Sequence, residues 1–381
     1  MAETIAVPRA SPARQADSAP VAIVGAGPAG LATAHALHVR GIEYDVLESG
    51  PAVGHSWRNL YDSLTLHTGR HLSALPGAPF PRGTPLFPSR SDLVEYLQRY
   101  RDRFDLRVRT NVAVRCATRS NAGWSIETSD GPVEASAIVV ATGIIAGPVI
   151  PRIEGQERFG GVIRHAVEYR RPDGHAGRSV LVIGCGNTAG DIATELAEAG
   201  ARVTVSVRTG ANVVPLTLFG LPIQYVAWLM RGLPDPGKRA ITAVVARLVR
   251  LRRGPPVLPQ PPYGPLDSIP MIGFHMVDAV KAGRVRLATG VASIETDGAR
   301  FTDGSADRFD EIILATGYRP ELRFLGDAVR VDESGLALRT DRVTSADQPG
   351  LFFVGHNYDA AGGLRNIFRD APLAADRIAG R

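Results

Sequence analysis

Two glycine-rich turns, each between an apolar strand and a helix, constrain this chain more than any other feature. The first lies in VAIVGAGPAGLATAHAL, residues 21–37, where Gly25 and Gly27 permit a tight turn and Gly30 permits close helix–strand packing. The second lies in VLVIGCGNTAGDIATEL, residues 180–196, with alanine in place of the third glycine. The backbone N–H groups and positive dipole at such a helix start bind a pyrophosphate. The sequence therefore predicts two dinucleotide-binding βαβ units.

The residue at the end of the second strand distinguishes the two units. YDVLES carries Glu48, 18 residues after Gly30, and a carboxylate there accepts hydrogen bonds from an unphosphorylated ribose. RVTVSVRT, residues 202–209, carries Arg208 in the corresponding place, 19 residues after Ala189. A guanidinium can bind a ribose 2′-phosphate through two hydrogen bonds. We predict FAD at the first site and NADPH, the hydride donor, at the second; a solvated strand-end arginine is the alternative for Arg208.

Apolar strands followed by Ala-Thr-Gly occur twice more, in ASAIVVATG and in DEIILATG. Such turns mark the places where a chain passes between two nucleotide-binding domains. Near the C-terminus, PGLFFVGH predicts another buried strand, followed by a closing helix over residues 370–379. We expect an α/β fold with two dinucleotide-binding, Rossmann-like, three-layer domains. Residues 20–148 and 288–381 would form the FAD domain, with the NADPH domain of residues 149–287 inserted between them.

Charge and cysteine usage limit the partners of the chain. The formal charge of +5 comes from scattered basic residues, which fits anionic small molecules and disfavours nucleic acid. Cys116 and Cys185 form no CxxC motif, which argues against a disulfide reductase and favours a cytoplasmic location. His67 and His71 lack an HExxH context, so no metal site is expected. We expect a monomer or a homodimer.

Two segments lie outside the nucleotide-binding pattern. Residues 1–19 are rich in alanine, proline, serine and arginine and predict a disordered tail. Residues 221–252 join an apolar stretch to a basic amphipathic one, and we interpret the insertion over 215–265 as a lid or the wall of a substrate channel. A membrane-surface helix is the alternative for this segment. No apolar run approaches the ~20 residues that span a bilayer, so stable membrane association is not expected.

The segment FGGVIRHAVEY, residues 159–169, matches the FxGxxxHxxx[FY] signature of class B flavoprotein monooxygenases. The matching residues are Phe159, Gly161, His165 and Tyr169. The chain thus resembles the flavin-containing monooxygenase family. The Baeyer–Villiger branch of that class carries tryptophan at the last signature position, so Tyr169 points away from that branch.

Three further segments resemble the YUCCA-type indole-3-pyruvate monooxygenase branch, which converts aryl-2-oxo acids to acetic acids. These segments are residues 57–81, 180–196 and 370–379. The second turn departs from that branch, because it reads GNTA where the branch usually reads GNSG. His67 stands where N-oxygenating relatives carry asparagine, which argues against amine N-oxygenation.

The resemblance implies an FAD-dependent monooxygenase that uses NADPH and O2, through a flavin C4a-(hydro)peroxide, to oxygenate a small organic substrate. Oxidative decarboxylation of an aryl-2-oxo acid such as indole-3-pyruvate is the candidate reaction. One alternative is a flavoprotein reductase that passes electrons to a quinone or a ferredoxin. Others are an N/S-oxygenating or Baeyer–Villiger monooxygenase and a non-catalytic NADPH-binding sensor.

The resemblance also places Trp57, Arg58 and His67 near the flavin ring, and it makes His67 and Arg58 the candidate catalytic residues. A packing role is the alternative for His67, and His165 is expected to be a hinge or domain-packing residue. The predicted FAD-site residues are Gly25, Ala26, Gly27, Pro28, Ala29, Gly30, Glu48, Ser49, Trp57, Arg58, Leu66, His67, Thr68, Val112, Ala141, Thr142, Gly143 and Gly355. The predicted NADPH-site residues are Gly184, Gly186, Asn187, Thr188, Ala189, Arg208, Thr209, Ala315, Thr316 and Gly317.

Overall fold

The computed structural model describes residues 19–121 and 123–380, so the tail predicted over residues 1–19 lies, except for Ala19, outside the described residues. Its helices are α1 Pro28–Val39, α2 His55–Arg58, α3 Arg70–Ser73, α4 Arg90–Arg103, α5 Asn187–Glu198, α6 Ile223–Leu229, α7 Asp235–Arg253, α8 His275–Lys281 and α9 Gly363–Ile378. Its strands are β1 Val21–Val24, β2 Tyr44–Leu47, β3 Val108–Arg109, β4 Val114–Ser120, β5 Gly123–Thr128, β6 Gly131–Ala135, β7 Ala137–Val140, β8 Gly147–Pro148, β9 Val162–His165, β10 Ser179–Ile183, β11 Arg202–Ser206, β12 Val213–Val214, β13 Thr217–Leu218, β14 Leu221–Pro222, β15 Met271–Ile272, β16 Val285–Ala288, β17 Val291–Glu295, β18 Gly298–Phe301, β19 Ala306–Arg308, β20 Glu311–Leu314, β21 Tyr318–Arg319 and β22 Leu351–Phe353. None of the described helices is both long and apolar enough to cross a bilayer.

The first sheet consists of parallel strands in the order β22–β7–β1–β2–β3. Strand β1, with the sequence VAIV, is buried along its whole length because both faces of the sheet are covered. Val21 and Ile23 pack with residues of α1, α4 and α9. Ala22 and Val24 pack with the antiparallel sheet β4–β5–β6 on the opposite face. Helices, parallel sheet and antiparallel sheet therefore form three layers.

The second sheet repeats this arrangement, with parallel strands in the order β16–β11–β10–β20–β9. Val180 and Val182 of β10 pack with apolar residues of α5 and α8. Leu181, which points to the opposite face, packs with the antiparallel sheet β17–β18–β19. The two fingerprint sequences thus build two domains of the same three-layer design.

The second domain is inserted into the first. Strands β9, β10, β11, β16 and β20 follow β7 in the chain and precede β22. Strand β22 nevertheless pairs directly with β7, where Leu351 lies beside Ile138. Helix α9 returns to pack on α1, and Arg40 beyond the end of α1 forms a 2.6 Å ion pair with Asp376. The predicted fold class, two Rossmann-like three-layer domains with one inserted into the other, is confirmed.

The sheets divide the chain at a different place from the predicted boundary at residue 288. Strand β20 lies between β10 and β9 in the second sheet, and β17–β18–β19 packs on the same sheet. Residues 288–314 therefore go with the second sheet rather than the first, because their apolar side chains are buried against it. The Ala-Thr-Gly turns at 141–143 and 315–317 follow β7 and β20 directly, and the sheet order favours them as the crossing points. The residue limits of the two domains stay a prediction.

The closing helix α9 is longer than the sequence predicted. It begins at Gly363 rather than at residue 370. Leu364, Ile367 and Ala371 recur at helical spacing and are buried in the core shared with α1. Because these side chains are buried in that core, the helix begins before residue 370.

Candidate active site

A cavity of about 680 Å³ is lined by residues from both fingerprint turns. The predicted site residues that line it are Gly25, Gly27, Pro28, Ala29, Glu48, Ser49, Trp57, Leu66, His67, Thr68, Val112, Ala141, Thr142, Gly143, Gly355, Asn187 and Thr188. The predicted site residues outside its lining are Ala26, Gly30, Arg58, Gly184, Gly186, Ala189, Arg208, Thr209, Ala315, Thr316 and Gly317. The cavity therefore joins most of the first site to the helix start of the second.

The three glycines of the first turn are required for different reasons. Gly25 has a φ of +105°, and a Cβ there would lie 2.7 Å from the carbonyl oxygen of Ala141. A Cβ on Gly30 would collide with the carbonyl oxygen of Gly25. Gly27 has an ordinary φ of −81°, and a Cβ there would meet nothing within 4 Å. Space is thus kept open beside Gly27, at the start of α1, where the N–H groups of the helix can bind a pyrophosphate.

The Glu48 carboxylate is held at the carboxyl end of β2 by backbone groups. The N–H of Ala26 donates to Oε2 at 2.8 Å, and the N–H of Gly50 donates to Oε1 at 2.7 Å. The side chain is buried, yet it lines the cavity. The Ser49 hydroxyl also donates to Oε1 at 3.4 Å, and Oε2 can accept a second hydrogen bond, so the group fits a hydroxyl of an unphosphorylated ribose.

The C-terminal strand closes the first site. Gly355, two residues after β22, has a φ of +82°, and a Cβ there would lie 2.9 Å from the Cβ of Ala29. Glycine at this position lets the chain approach the start of α1. With the open space at Gly27 and the anchored Glu48, this close approach gives the first site the shape and the chemistry that FAD needs.

The second turn has the same backbone geometry as the first. Gly184 has a φ of +123° and lies against the carbonyl oxygen of Ala315, as Gly25 lies against that of Ala141. A Cβ on Gly186 would meet nothing within 4 Å, as for Gly27. Ala189, in the third-glycine position, is completely buried. The second turn therefore keeps open the same space for a dinucleotide.

The polar residues of the second site have different environments. Arg208 and Thr209 are exposed beyond the end of β11, and Arg208 forms no ion pair with any carboxylate of residues 19–121 and 123–380. The Asn187 side chain is already engaged, since it donates to the oxygen of Pro270 at 3.1 Å and accepts from the N–H of Ile272 at 2.7 Å. Arg208 is thus available to a phosphate, whereas the Asn187 side chain positions β15.

The signature residues of the segment 159–169 serve the second domain rather than the cavity. His165 is buried, accepts from the N–H of Val167 through Nδ1, and lies 3.1 Å from the oxygen of Gly317 through Nε2. Burial lowers the pKa of His165, so its imidazole is neutral. The Tyr169 hydroxyl donates to Glu195 at 2.9 Å. His165 therefore fastens the 315–317 turn to β9, in agreement with a packing role.

The two candidate catalytic residues are placed differently. His67 lines the cavity, and burial lowers its pKa, although the charge of Asp191 opposes that effect. Its imidazole is therefore neutral at pH 7 and can donate or accept a hydrogen bond. Arg58 does not line the cavity, because its guanidinium donates to Gln98 at 2.8 Å. The position of Arg58 gives no support to a catalytic role.

Asp191 of α5 also lines the cavity, and it is not among the site residues predicted from the sequence. The Tyr61 hydroxyl donates to its Oδ2 at 2.6 Å, and Nε2 of His275 lies 2.9 Å from its Oδ1. Burial alone would raise the pKa of Asp191, but the hydrogen bonds from His275 and Tyr61 outweigh it, and the pKa lies below its usual value. Burial and the Asp191 charge raise the pKa of Tyr61, which stays protonated. An ionised carboxylate thus links Tyr61, from the first half of the chain, to α8 of the second.

A signal for Asp191 was present in the sequence. An acidic residue one turn into the fingerprint helix GNTAGDIATEL stands among apolar side chains, and such a charge needs a partner. No sequence signal identifies Tyr61 or His275 as that partner, because both are distant from Asp191 along the chain.

We expect Gly27→Ala to fold and to purify without FAD, because the added methyl group would occupy the space kept open for the pyrophosphate. Flavin absorbance and the melting temperature of the flavin-free protein measure the two effects. Gly186→Ala is the matched control, since its methyl group enters the corresponding space of the second site and should leave the flavin bound. Full flavin content in Gly27→Ala would contradict the assignment.

We expect Asp191→Asn to lower the free energy of unfolding by about 1.5–3 kcal/mol at pH 7, because a charge-assisted hydrogen bond is lost. The folded-state pKa of Asp191 lies below its unfolded value of ~3.9, so this contribution is complete above that pH and disappears as the pH falls further. Urea unfolding at pH 7, 5 and 3.5 should show the difference from the wild type shrinking only at the lowest pH. Asp327→Asn, an exposed carboxylate, is the control. An equal loss for both variants would refute the linkage.

Comparison with known proteins identifies relatives of this chain. Residues 22–214 match the family described as pyridine nucleotide-disulphide oxidoreductase. Indole-3-pyruvate monooxygenase YUCCA1 of Oryza sativa subsp. japonica is 35% identical over 308 residues, which cover 78% of this chain and 76% of that protein. Indole-3-pyruvate monooxygenase YUCCA8 of Oryza sativa subsp. indica is 34% identical over 384 residues, which cover 94% of this chain and 90% of that protein.

A solved structure shares the fold. The flavin-containing monooxygenase from Stenotrophomonas maltophilia superposes with a TM-score of 0.74 at 22% identity, covering 96% of this chain and 99% of that chain. The plant relatives add sequence identity over most of both chains. On these grounds the chain belongs to the flavin-containing monooxygenase family, with YUCCA-type enzymes among its relatives, and it uses FAD and NADPH.

Proposed function

We propose that this NADPH-dependent flavin monooxygenase decarboxylates an aryl-2-oxo acid oxidatively. Indole-3-pyruvate, which appears in the names of the plant relatives, belongs to this substrate class. The reaction balances as R–CO–COOH + O2 + NADPH + H⁺ giving R–COOH + CO2 + H2O + NADP⁺. The C1–C2 bond of the oxo acid breaks, and one atom of dioxygen enters the new carboxyl group. Bound FAD supplies the chemistry that accepts the hydride and activates dioxygen.

The observation that carries the proposal is the continuity of the cavity. One end is lined by the two nucleotide-binding turns, and the other is walled by apolar side chains of the inserted segment. These include Val226 of α6, Met230 just after α6, and Ile241 and Val245 of α7. Such a wall accommodates an aryl group and excludes water from the oxygen chemistry.

The cover over the cavity is bound to the first domain. The Tyr225 hydroxyl of α6 lies 2.7 Å from Nδ1 of His71, in α3. This contact supports the interpretation of the insertion over 215–265 as a lid or channel wall. In the cavity lining, neutral His67 can hydrogen-bond to a substrate carbonyl, and ionised Asp191 holds the hydroxyl proton of Tyr61 in place.

A second candidate function is oxygenation of a neutral sulfide or ketone. Among the described residues, the cavity lining includes no lysine and no arginine. The cavity therefore has no lysine or arginine side chain that could bind a carboxylate. A neutral sulfide or ketone requires no such cation for its binding. Offering both substrate classes to the same protein separates the two candidates.

We further propose a cytoplasmic enzyme that acts as a monomer or a homodimer. The support for the location is that Cys116 and Cys185 are both free thiols, as a reducing compartment keeps them. Size-exclusion chromatography with light scattering measures the oligomeric state.

We expect the purified protein with NADPH and ¹⁸O2 to convert phenylpyruvate or indole-3-pyruvate to the arylacetate carrying one ¹⁸O atom. Mass spectrometry of the product and the ratio of CO2 formed to NADPH consumed measure this reaction. A ketone, a thioether and an amine serve as comparison substrates. If every substrate yields hydrogen peroxide alone and a quinone is reduced rapidly, the reductase alternative replaces the proposal.

We expect Arg208→Ala to raise the KM for NADPH about 10-fold, because a charge-assisted contact with the 2′-phosphate is lost. The KM for NADH and both kcat values should change little, since the 2′-phosphate is remote from the hydride and contributes uniform binding. Arg202→Ala, an exposed arginine at the other end of β11, is the control. Equal losses with both coenzymes would mean that Arg208 serves the fold.

A further inference from the structure

Two arginines lie over an indole ring beside the cavity, and a third lies on the same helix as one of them. The guanidinium carbon of Arg231, just after α6, lies 4.1 Å from the centre of the Trp228 ring, and that of Arg365 in α9 lies 5.7 Å from it. Arg365 also lies 4.5 Å from the ring centre of Phe368. Arg369 follows one helical turn after Arg365. We call these five residues the arginine–tryptophan patch.

The patch carries positive charge without a counterion. In the part of the chain that the structure describes, no carboxylate forms an ion pair with Arg231, Arg365 or Arg369. The Nε atom of Arg365 is buried and has no hydrogen-bond acceptor. Burial, and then the charges of Arg231 and Arg369, lower the pKa of Arg365. A buried charged donor without a partner is unfavourable, so the patch is suited to receive an anion.

The patch lies on the same two helical segments that wall the cavity. Ala227 and Met230 line the cavity next to Trp228 and Arg231. Leu364 and Ile367 line it on α9, beside Arg365 and Phe368. An anion on the patch would therefore stand next to an apolar space that itself has no lysine or arginine in its described lining.

We propose that the arginine–tryptophan patch recognises the carboxylate of an aromatic acid as its aryl group enters the cavity. The inference rests on the proposed function, because it assigns the charged half of that substrate to residues outside the cavity. Arg365 and Arg231 bind the carboxylate oxygens, while the rings of Trp228 and Phe368 hold the two guanidinium groups in place through cation–π contacts. A phosphate group would be recognised by the same cations, but the apolar cavity beside the patch favours an aryl carboxylate.

The kinetic test uses phenylpyruvate and its neutral methyl ester, which share the aryl group and differ in charge. Arg231→Ala and Arg365→Gln should each raise the KM for phenylpyruvate about 10-fold and leave its kcat nearly unchanged, and the inhibition constant of the ester, added as a competitive inhibitor, should also change little. Arg231 is exposed, so its variant tests the patch even if Arg365→Gln folds poorly. Arg247→Ala, an exposed arginine of α7, is the control for the loss of one positive charge. Equal effects on acid and ester would overturn the proposal.

A binding test distinguishes failure of this inference from failure of the proposed function. Calorimetric titration of the FAD-loaded protein with phenylacetate requires no turnover, and binding should weaken about 10-fold in both patch variants but not in Arg247→Ala. If the wild type converts no oxo acid but this pattern appears, the patch stands and the reaction is wrong. If phenylacetate binds all variants equally, or if the patch variants raise the KM for NADPH instead, the patch does not recognise the substrate.

Discussion

The backbone contact between each fingerprint turn and the Ala-Thr-Gly turn beside it supports the rest of the site. Gly25 and Gly184 both have a positive φ, and each lies against the carbonyl oxygen of the alanine that follows the neighbouring strand, Ala141 or Ala315. Only glycine allows this conformation together with so close an approach of two backbones. The contact holds the start of α1 or α5 at the carboxyl edge of its sheet, where the unpaired N–H groups of the helix can bind a phosphate. Because the same contact occurs in both domains, one chain offers two dinucleotide sites.

Polar contacts between the two halves of the chain determine how these sites share one cavity. The Tyr61 hydroxyl reaches Asp191 on the helix of the second fingerprint, and Tyr225 of α6 reaches His71 of the first domain. The first contact has an ionised acceptor in a largely buried setting, which makes it stronger than an exposed pair. The second lies at the surface and is better suited to a cover that opens for the substrate. A stronger link near the second turn and a weaker one at the proposed lid agree with an enzyme that must admit substrate and exclude water.

Charge is distributed unevenly around the cavity. Carboxylates such as Glu48 and Asp191 line it, each held by hydrogen-bond donors, whereas the lining has no lysine or arginine in the described residues. The cations lie outside, with Arg208 beyond β11 and the arginine–tryptophan patch beside α6 and α9. Arg208, Arg231 and Arg369 are exposed, where water or an arriving anion can solvate them, because a guanidinium buried without a partner is strongly destabilising. This placement leaves the interior apolar for the oxygen chemistry and leaves recognition of charged groups to the rim.

Local features of the sequence were sufficient for the fold class and the two glycine turns, whereas the roles of Glu48 and Arg208 at the riboses stay predictions. Strand, glycine turn and helix are consecutive in the chain, so their spacing carries the information, and the family resemblance supplied the reaction class. Which sheet contains β20 could not be read from the sequence, because β20 pairs with β10 and β9, which are far away in sequence. The position of Arg58, the partners of Asp191 and the arginine–tryptophan patch were likewise decided only by the tertiary structure. Each depends on contacts between side chains from separate elements that packing brings together. No periodicity or motif within one segment of the sequence predicts such contacts.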